Sequence, residues 1–290
     1  MAYLLVTVAT IMISFVGTLV KVASPMVPAS ALTLSRFFFG VVFLLLVCLI
    51  MRHRPRLYFR SKWIWAAVVF KCMNYFFENA ALHHGSSYGN IIVFPIQAVS
   101  FCFFAAYFFK EKIGPRKILA TTFCITGILI VSMNGASLSA FFNSSLKTLL
   151  LFIFAAIGAA GFVLSQKMLI DTVDAKDMNI SVFLVCTLIS LVPVFIERRE
   201  FHAFRTGSFL ALVGLGAITG IAFLLIAYSL KHMSLVVSGM IQSSSTLFTL
   251  LWTILFWHEA VTGWIILGAA VFLCGLALIN IAPKKGVFVN

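Results

Sequence analysis

Apolar residues run along this chain in blocks of about twenty, separated by short polar connectors. Taken in order, the blocks predict spans at 3–20, 31–51, 63–83, 89–109, 116–133, 147–166, 179–196, 208–229, 233–257 and 263–281. That length suits a helix crossing a hydrocarbon core. Inside lipid the backbone has to satisfy its own hydrogen bonds, so each block is predicted as a helix. The period-two alternation of a membrane barrel is absent. No connector is long enough for a soluble domain; the longest lie around 134–146 and 171–178. The expected fold is an all-α polytopic membrane protein with ten transmembrane helices.

Composition agrees. Only 10% of the residues are charged and 62% are hydrophobic, too little charge to cover the surface of a soluble domain. The first span begins within a few residues of Met1 with no basic segment before it, so it is expected to be retained, not cleaved as a signal peptide. The six cysteines all fall inside apolar blocks and form no CxxC pair, which indicates neither a zinc site nor a disulfide framework. A net charge of +13 would suggest nucleic acid in a soluble protein. Here the basic residues sit in connectors, where they set orientation. With a cytoplasmic N-terminus, fourteen Lys and Arg lie in cytoplasmic segments against five outside, leaving Arg36 and Lys71 within spans. Both termini are therefore expected in the cytoplasm, which an even number of spans also requires.

The chain repeats itself. At an offset of 148, Leu82 meets Leu230, His84 meets His232, Ser86 meets Ser234, Glu111 meets Glu259 and Gly127 meets Gly275, without a gap. At 146, Lys21 meets Lys167 and Arg52 meets Arg198. The halves are expected at 1–145 and 146–290. Each holds five spans, an odd number, so the two copies must be inverted relative to each other. Charge agrees: Lys110-Glu111-Lys112 followed by Arg116-Lys117 becomes His258-Glu259-Ala260 followed by uncharged residues.

The hairpin from Ala81 to Ser132 ends its first helix in an aromatic run, then has Glu111 and a second helix with Gly127. The last hairpin repeats this with Glu259 and Gly275. Over its whole length the chain resembles the EamA branch of the drug/metabolite transporter superfamily. The resemblance implies a 5+5 inverted repeat with a central cavity lined mainly by the first four helices of each half. It implies a small-molecule substrate from among amino acids, nucleosides, choline-like cations, S-adenosylmethionine and similar polar metabolites. It implies a bacterial inner membrane. This chain departs from that pattern in carrying charge inside its third span.

That charge is the sharpest chemical signal. Lys71 sits near the middle of the span, where a lysine costs ~2.5–3.5 kcal/mol to insert. Asn74 and Glu78 follow at +3 and +7, so one helix face carries a cation, an amide and a carboxylate. Such a stripe either faces a substrate or balances charge within the fold. Lys71 is the expected ligand for a carboxylate or phosphate, and Glu78 for an amine or a coupling proton. Asn90 and Gln97 form a polar stripe on the fourth span, matched at +148 by Ser238 and Ser245, with Gln242 and Thr249 on the same face. Transporters place their sites near the midplane at the repeat interface, although Ser and Thr also serve helix packing.

Arg36, near the start of the second span, either snorkels to the outer interface or reaches an anionic substrate group. Tyr75, Phe94, Phe101, Tyr228 and Trp252 are the aromatic residues placed to line a cavity. Pro95 and Pro193 are read as kinks, and Lys21, His83, His84 and His232 as interfacial. Glu111 and Glu259 are read as structural or gating residues. Thr10, Ser14, Gly17, the Gly216–Gly220 pair and the small residues of 156–161 are read as packing.

No HExxH, GxSxG or GxxxxGK[ST] occurs, so no enzyme, cofactor or metal is indicated. A channel would need a filter segment or charged ring, and neither is visible. The expectation is a monomeric or homodimeric transporter in a lipid bilayer, working by alternating access, either proton-coupled or an exchanger, without nucleic acid. The alternative is a non-transporting membrane sensor or scaffold.

Overall fold

The computed structural model describes residues 1–84, 93–111, 114–133, 135, 146–197, 204–257 and 262–280. Its helices in chain order are α1 (Ala2–Ser14), α2 (Val16–Ala23), α3 (Ala29–Ile50), α4 (Lys62–His84), α5 (Val93–Phe109) and α6 (Pro115–Met133), then α7 (Leu146–Leu169), α8 (Ala175–Glu197), α9 (Thr206–Leu230), α10 (Leu235–Ser243), α11 (Ser245–Trp257) and α12 (Gly263–Asn280). No strand occurs among the described residues. Five of the described helical stretches are long and apolar enough to cross a membrane on length and composition alone. Large apolar side chains such as Leu49, Val69, Phe103, Val192, Leu210 and Ile266 point away from the protein, as a lipid-facing surface requires.

Two predicted spans are not continuous. The first is divided into α1 and α2 at Phe15, the ninth into α10 and α11 at Ser244. At each division the backbone tightens to an i→i−3 bond: Phe15 N donates to Met12 O at 3.2 Å, and Ser244 N to Ile241 O at 3.0 Å. A serine hydroxyl competes at both places, Ser14 Oγ donating to Ile11 O and Ser244 Oγ to Ile241 O, each at 2.6 Å. Serine back-bonding of this kind bends helices without changing their hydropathy. The two divided spans also touch, with Trp252 Nε1 donating to Ser14 Oγ at 2.7 Å and Phe15 stacked on the indole at 4.3 Å.

The contacts between helices obey the exchange of halves. α4 packs along α7 as α9 packs along α1, α5 meets α7 as α10 meets α1, and α4 meets α8 as α9 meets α3. The pairs α3–α8, α5–α10 and α6–α12 map onto themselves. A pseudo-two-fold axis therefore runs through the bundle. The α6–α12 crossing shows it at atomic scale. A Cβ on Gly127 would lie 2.5 Å from Phe272 N, and one on Gly275 2.9 Å from Ala120 O. Gly127→Ala therefore forces two backbones apart and is expected to lower the unfolding temperature, since overpacking costs about 1–3 kcal/mol. Gly17→Ala, where an added Cβ meets nothing within 4 Å, is the control and should be neutral or stabilising. Equal unfolding temperatures for the two variants in detergent would contradict this close crossing.

One end of the bundle is tied across the halves. In the connector after α3, His53 Nε2 pairs with Asp177 Oδ1 of α8 at 2.8 Å, and the Arg56 N–H donates to the same oxygen at 3.0 Å. The Tyr58 N–H donates to Ser181 Oγ at 2.9 Å. At the same end Lys167 donates to the carbonyls of Leu230 and Met233, and Lys176 pairs with Asp174 and donates to the Tyr228 hydroxyl.

Candidate functional site

The site is built where α4 passes closest to α7. Gly158 has no Cβ, and one placed there would lie 2.6 Å from Asn74 N. Asn74 uses this proximity, its Nδ2 donating to Ala155 O at 3.1 Å. One turn further along α7, Phe162 comes to rest beside Lys71. The Lys71 ammonium lies 3.6 Å from the centroid of Phe223, 4.4 Å from Tyr75 and 4.7 Å from Phe162. The residue is 2% exposed.

No carboxylate lies within 4.0 Å of Lys71 among the described residues. The rings explain how it is tolerated. A desolvated cation–π contact contributes about 2 kcal/mol, so three of them offset the ~2.5–3.5 kcal/mol that insertion of a central lysine costs. A second cation shares the arrangement. Arg36 turns inward, not to the interface, and its guanidinium lies 4.3 Å from the centroid of Tyr75 while Nε donates to Thr219 Oγ1 at 3.4 Å. Phe37 packs on Tyr75 at 5.1 Å. Glu78 lies two turns along α4 from Lys71, half-buried. Five helices thus contribute: α3, α4, α7, α8 through Phe183, which packs on Phe162, and α9.

The cage has its own supports. Gln166 Nε2 donates to Asn179 Oδ1 at 2.9 Å and to Phe223 O at 3.2 Å, fixing α9 beside α7 and α8. Asn179 Nδ2 donates to Ala175 O at 2.8 Å. Gln166 and Asn179 are fully buried.

The second predicted stripe sits elsewhere. Ser238 and Gln242 are on α10, where Gln242 Nε2 donates to Ser238 Oγ at 3.1 Å, while Ser245 and Thr249 fall on α11 beyond the break. Thr249 donates to Ser14 O at 3.2 Å. Gln97 on α5 is half-buried. Among the described residues no hydrogen bond or ion pair joins these groups to Lys71 or Arg36. Asn90 and Glu259 lie outside the described residues, as do the side chains of Lys21, His83, His84, Phe94 and Pro95. Glu111 pairs with Lys117 at 3.3 Å within its own hairpin. Of the other aromatic candidates, Tyr228 serves Lys176, Trp252 serves Ser14, and Phe101 packs against Gly239.

Sequence reasoning missed Phe162, Phe223, Thr219, Gln166 and Asn179. Two of these carried a readable signal. At the 148-residue offset, Tyr75 corresponds to Phe223 and Lys71 to Thr219. The two rings nearest the ammonium are thus the same position in the two halves.

The family model for the EamA-like transporter family matches residues 1–133 and 146–281, one copy in each half. The chain belongs to the EamA-like transporter family. This places it in the drug/metabolite transporter superfamily and makes it an integral membrane protein of transporter type. No curated protein matches. One solved structure, described only as "Crystal structure of protein", superposes with a TM-score of 0.84 at 16% identity, covering 97% of this chain and 98% of that one. At that identity the likeness speaks for the fold alone. For this EamA-like chain, the fold therefore has independent support, whereas the aromatic cage rests on its own geometry.

Proposed function

We propose that this protein carries a small polar organic metabolite across a bacterial inner membrane by alternating access, with both termini in the cytoplasm. The observation that carries the reading is the Lys71–Arg36 pair, two cations on one tyrosine ring without a carboxylate within ion-pair distance among the described residues. Buried charge inside a span marks a substrate or ion pathway more often than a structural element. The rings on Lys71 come from both halves, so rocking of one half against the other would open the cage. In this orientation the His53–Asp177 tie closes the cytoplasmic end, and Arg36 and Glu78, both nearer the opposite end of their helices, keep partial exposure.

The test is uptake. Purified protein is reconstituted into vesicles, a metabolite pool covering organic acids, amino acids, nucleosides, choline and S-adenosylmethionine is added, and vesicle contents are read by mass spectrometry against protein-free vesicles. Protein-dependent accumulation or exchange of at least one compound is expected. Folded, correctly inserted protein that moves none of them would favour the sensor or scaffold reading.

A further inference from the structure

The charges within the spans do not cancel. Among the described helices, only Arg36, Lys71 and Glu78 carry charge six or more residues from either helix end. With the ionisation each has in water, they sum to +1. The other charged side chains of the described helices lie at helix ends, where several are already paired, Lys117 with Glu111 and Lys176 with Asp174. A buried net charge resists every conformation that closes over it, because closure removes the water that solvates it. A solute carrying one net negative charge cancels it. A zwitterion or a neutral solute leaves it, and a dianion reverses it.

From this balance we infer that the substrate is an organic monoanion, held by a carboxylate or other oxyanion bridging Lys71 and Arg36, with an apolar or aromatic body against Tyr75, Phe162 and Phe223. The geometry suits the bridge. Lys71 and Arg36 lie 4.4 and 4.3 Å from the same ring centroid, so less than about 9 Å separates them, a limit that applies only with the ring directly between them. A carboxylate accepting a charge-assisted bond of ~2.8 Å on each oxygen spans donors up to about 8 Å apart, enough to bridge the two cations wherever the ring does not stand between them. When the oxyanion draws the ammonium away, the three rings that held it become an apolar wall for the body of the solute. Glu78, on the same face of α4, opposes a second negative charge.

This rests on the transport reading, and its test is arranged to fail separately. Thermal stabilisation of the detergent-purified protein is measured with two scaffolds in five charge classes. Benzoate, isophthalate, benzamide, phenylalanine and benzylamine form one set; lactate, malonate, lactamide, alanine and 1-amino-2-propanol form the other. The expected result is that, in at least one set, the monoanion binds at least tenfold more tightly than every other member. Glu78→Gln, which raises the site to +2, should move preference to the dianion of that set by about tenfold. Lys71→Gln, which brings it to zero, should abolish the preference for the monoanion. Tighter binding of a dianionic, zwitterionic, neutral or cationic member by the wild-type protein overturns the monoanion assignment while leaving a transporter with a different substrate. Absence of any shift in both sets also overturns it, and the vesicle uptake experiment then decides the transport reading independently. The order in the wild-type protein is decisive even if a variant fails to fold.

Discussion

Lys71→Ala is expected to remove ligand-dependent stabilisation and vesicle uptake while leaving the protein folded. The two effects have separate causes. A hydrogen bond to a charged partner contributes about 1.5–3 kcal/mol, so its loss weakens binding by roughly 10–100-fold. Folding loses three cation–π contacts of about 2 kcal/mol each, with Phe223, Tyr75 and Phe162, and is relieved of the ~2.5–3.5 kcal/mol insertion cost of a central lysine, a net loss of about 3 kcal/mol. The unfolding temperature without ligand should therefore fall by about 5–10 degrees. Asn74 still ties α4 to α7 through Ala155 O, which keeps the helix in place. The measurement is a pair of melting curves, with and without the compound that the vesicle assay identifies. Equal ligand shifts in wild type and variant would demote Lys71 to a structural charge.

The second large effect is expected at Asp177. This buried carboxylate accepts from the Arg56 backbone N–H and pairs with His53, so it alone holds two points of the connector after α3. Asp177→Ala removes both hydrogen bonds to a charged acceptor, at about 1.5–3 kcal/mol, which corresponds to roughly 10–100-fold more frequent opening of that end. Cys48 is the reporter: it is 1% exposed, lies one helical turn before the connector, and its carbonyl accepts from the His53 N–H. With the other five cysteines replaced, its labelling by a membrane-impermeant maleimide should accelerate at least tenfold in the variant. Labelling at the wild-type rate would show that the remaining ties, Tyr58 to Ser181 and Lys167 to the carbonyls of Leu230 and Met233, suffice to keep the end closed.

How much of this could be read from the sequence follows from which energies dominate. Burial of apolar area in lipid is large and additive, so the spans and the duplication were readable to within a few residues. The division of the first and ninth spans was not, because an i→i−3 step with a serine back-bond leaves composition unchanged. Lys71 was readable because a charge within a span is costly wherever it lies. Its neighbours were hidden among 31 phenylalanines, and nothing local distinguishes Phe162 from Phe154. Arg36 was ambiguous because two helical turns from a span end permit either snorkelling or an inward turn, and the ring of Tyr75 decides it. Ser238, Gln242 and Ser245 share a face by helix periodicity, but the division at Ser244 puts Ser245 on the helix after that of the other two. Helix periodicity reports which residues share a face, and the partner of Gln242 turned out to be Ser238 one turn away.

The uneven division of charge between the halves bears on the history of the gene. Tyr75 and Phe223 are equivalent positions, and both lie within 4.4 Å of the Lys71 ammonium, so the lysine stands close to the axis that exchanges them. Its own equivalent is Thr219, and that of Glu78 is Ile226. An ancestor made of a single half, pairing with an inverted copy of itself, could not have held this lysine alone. Any substitution there would have appeared twice, setting two ammonium groups against each other across the axis in a medium that screens neither. Only after the half had been duplicated, so that its two copies could differ, could one side gain the charge while the other kept a hydroxyl. On this ordering duplication came first, and the specialised centre was an innovation that two distinct copies made possible.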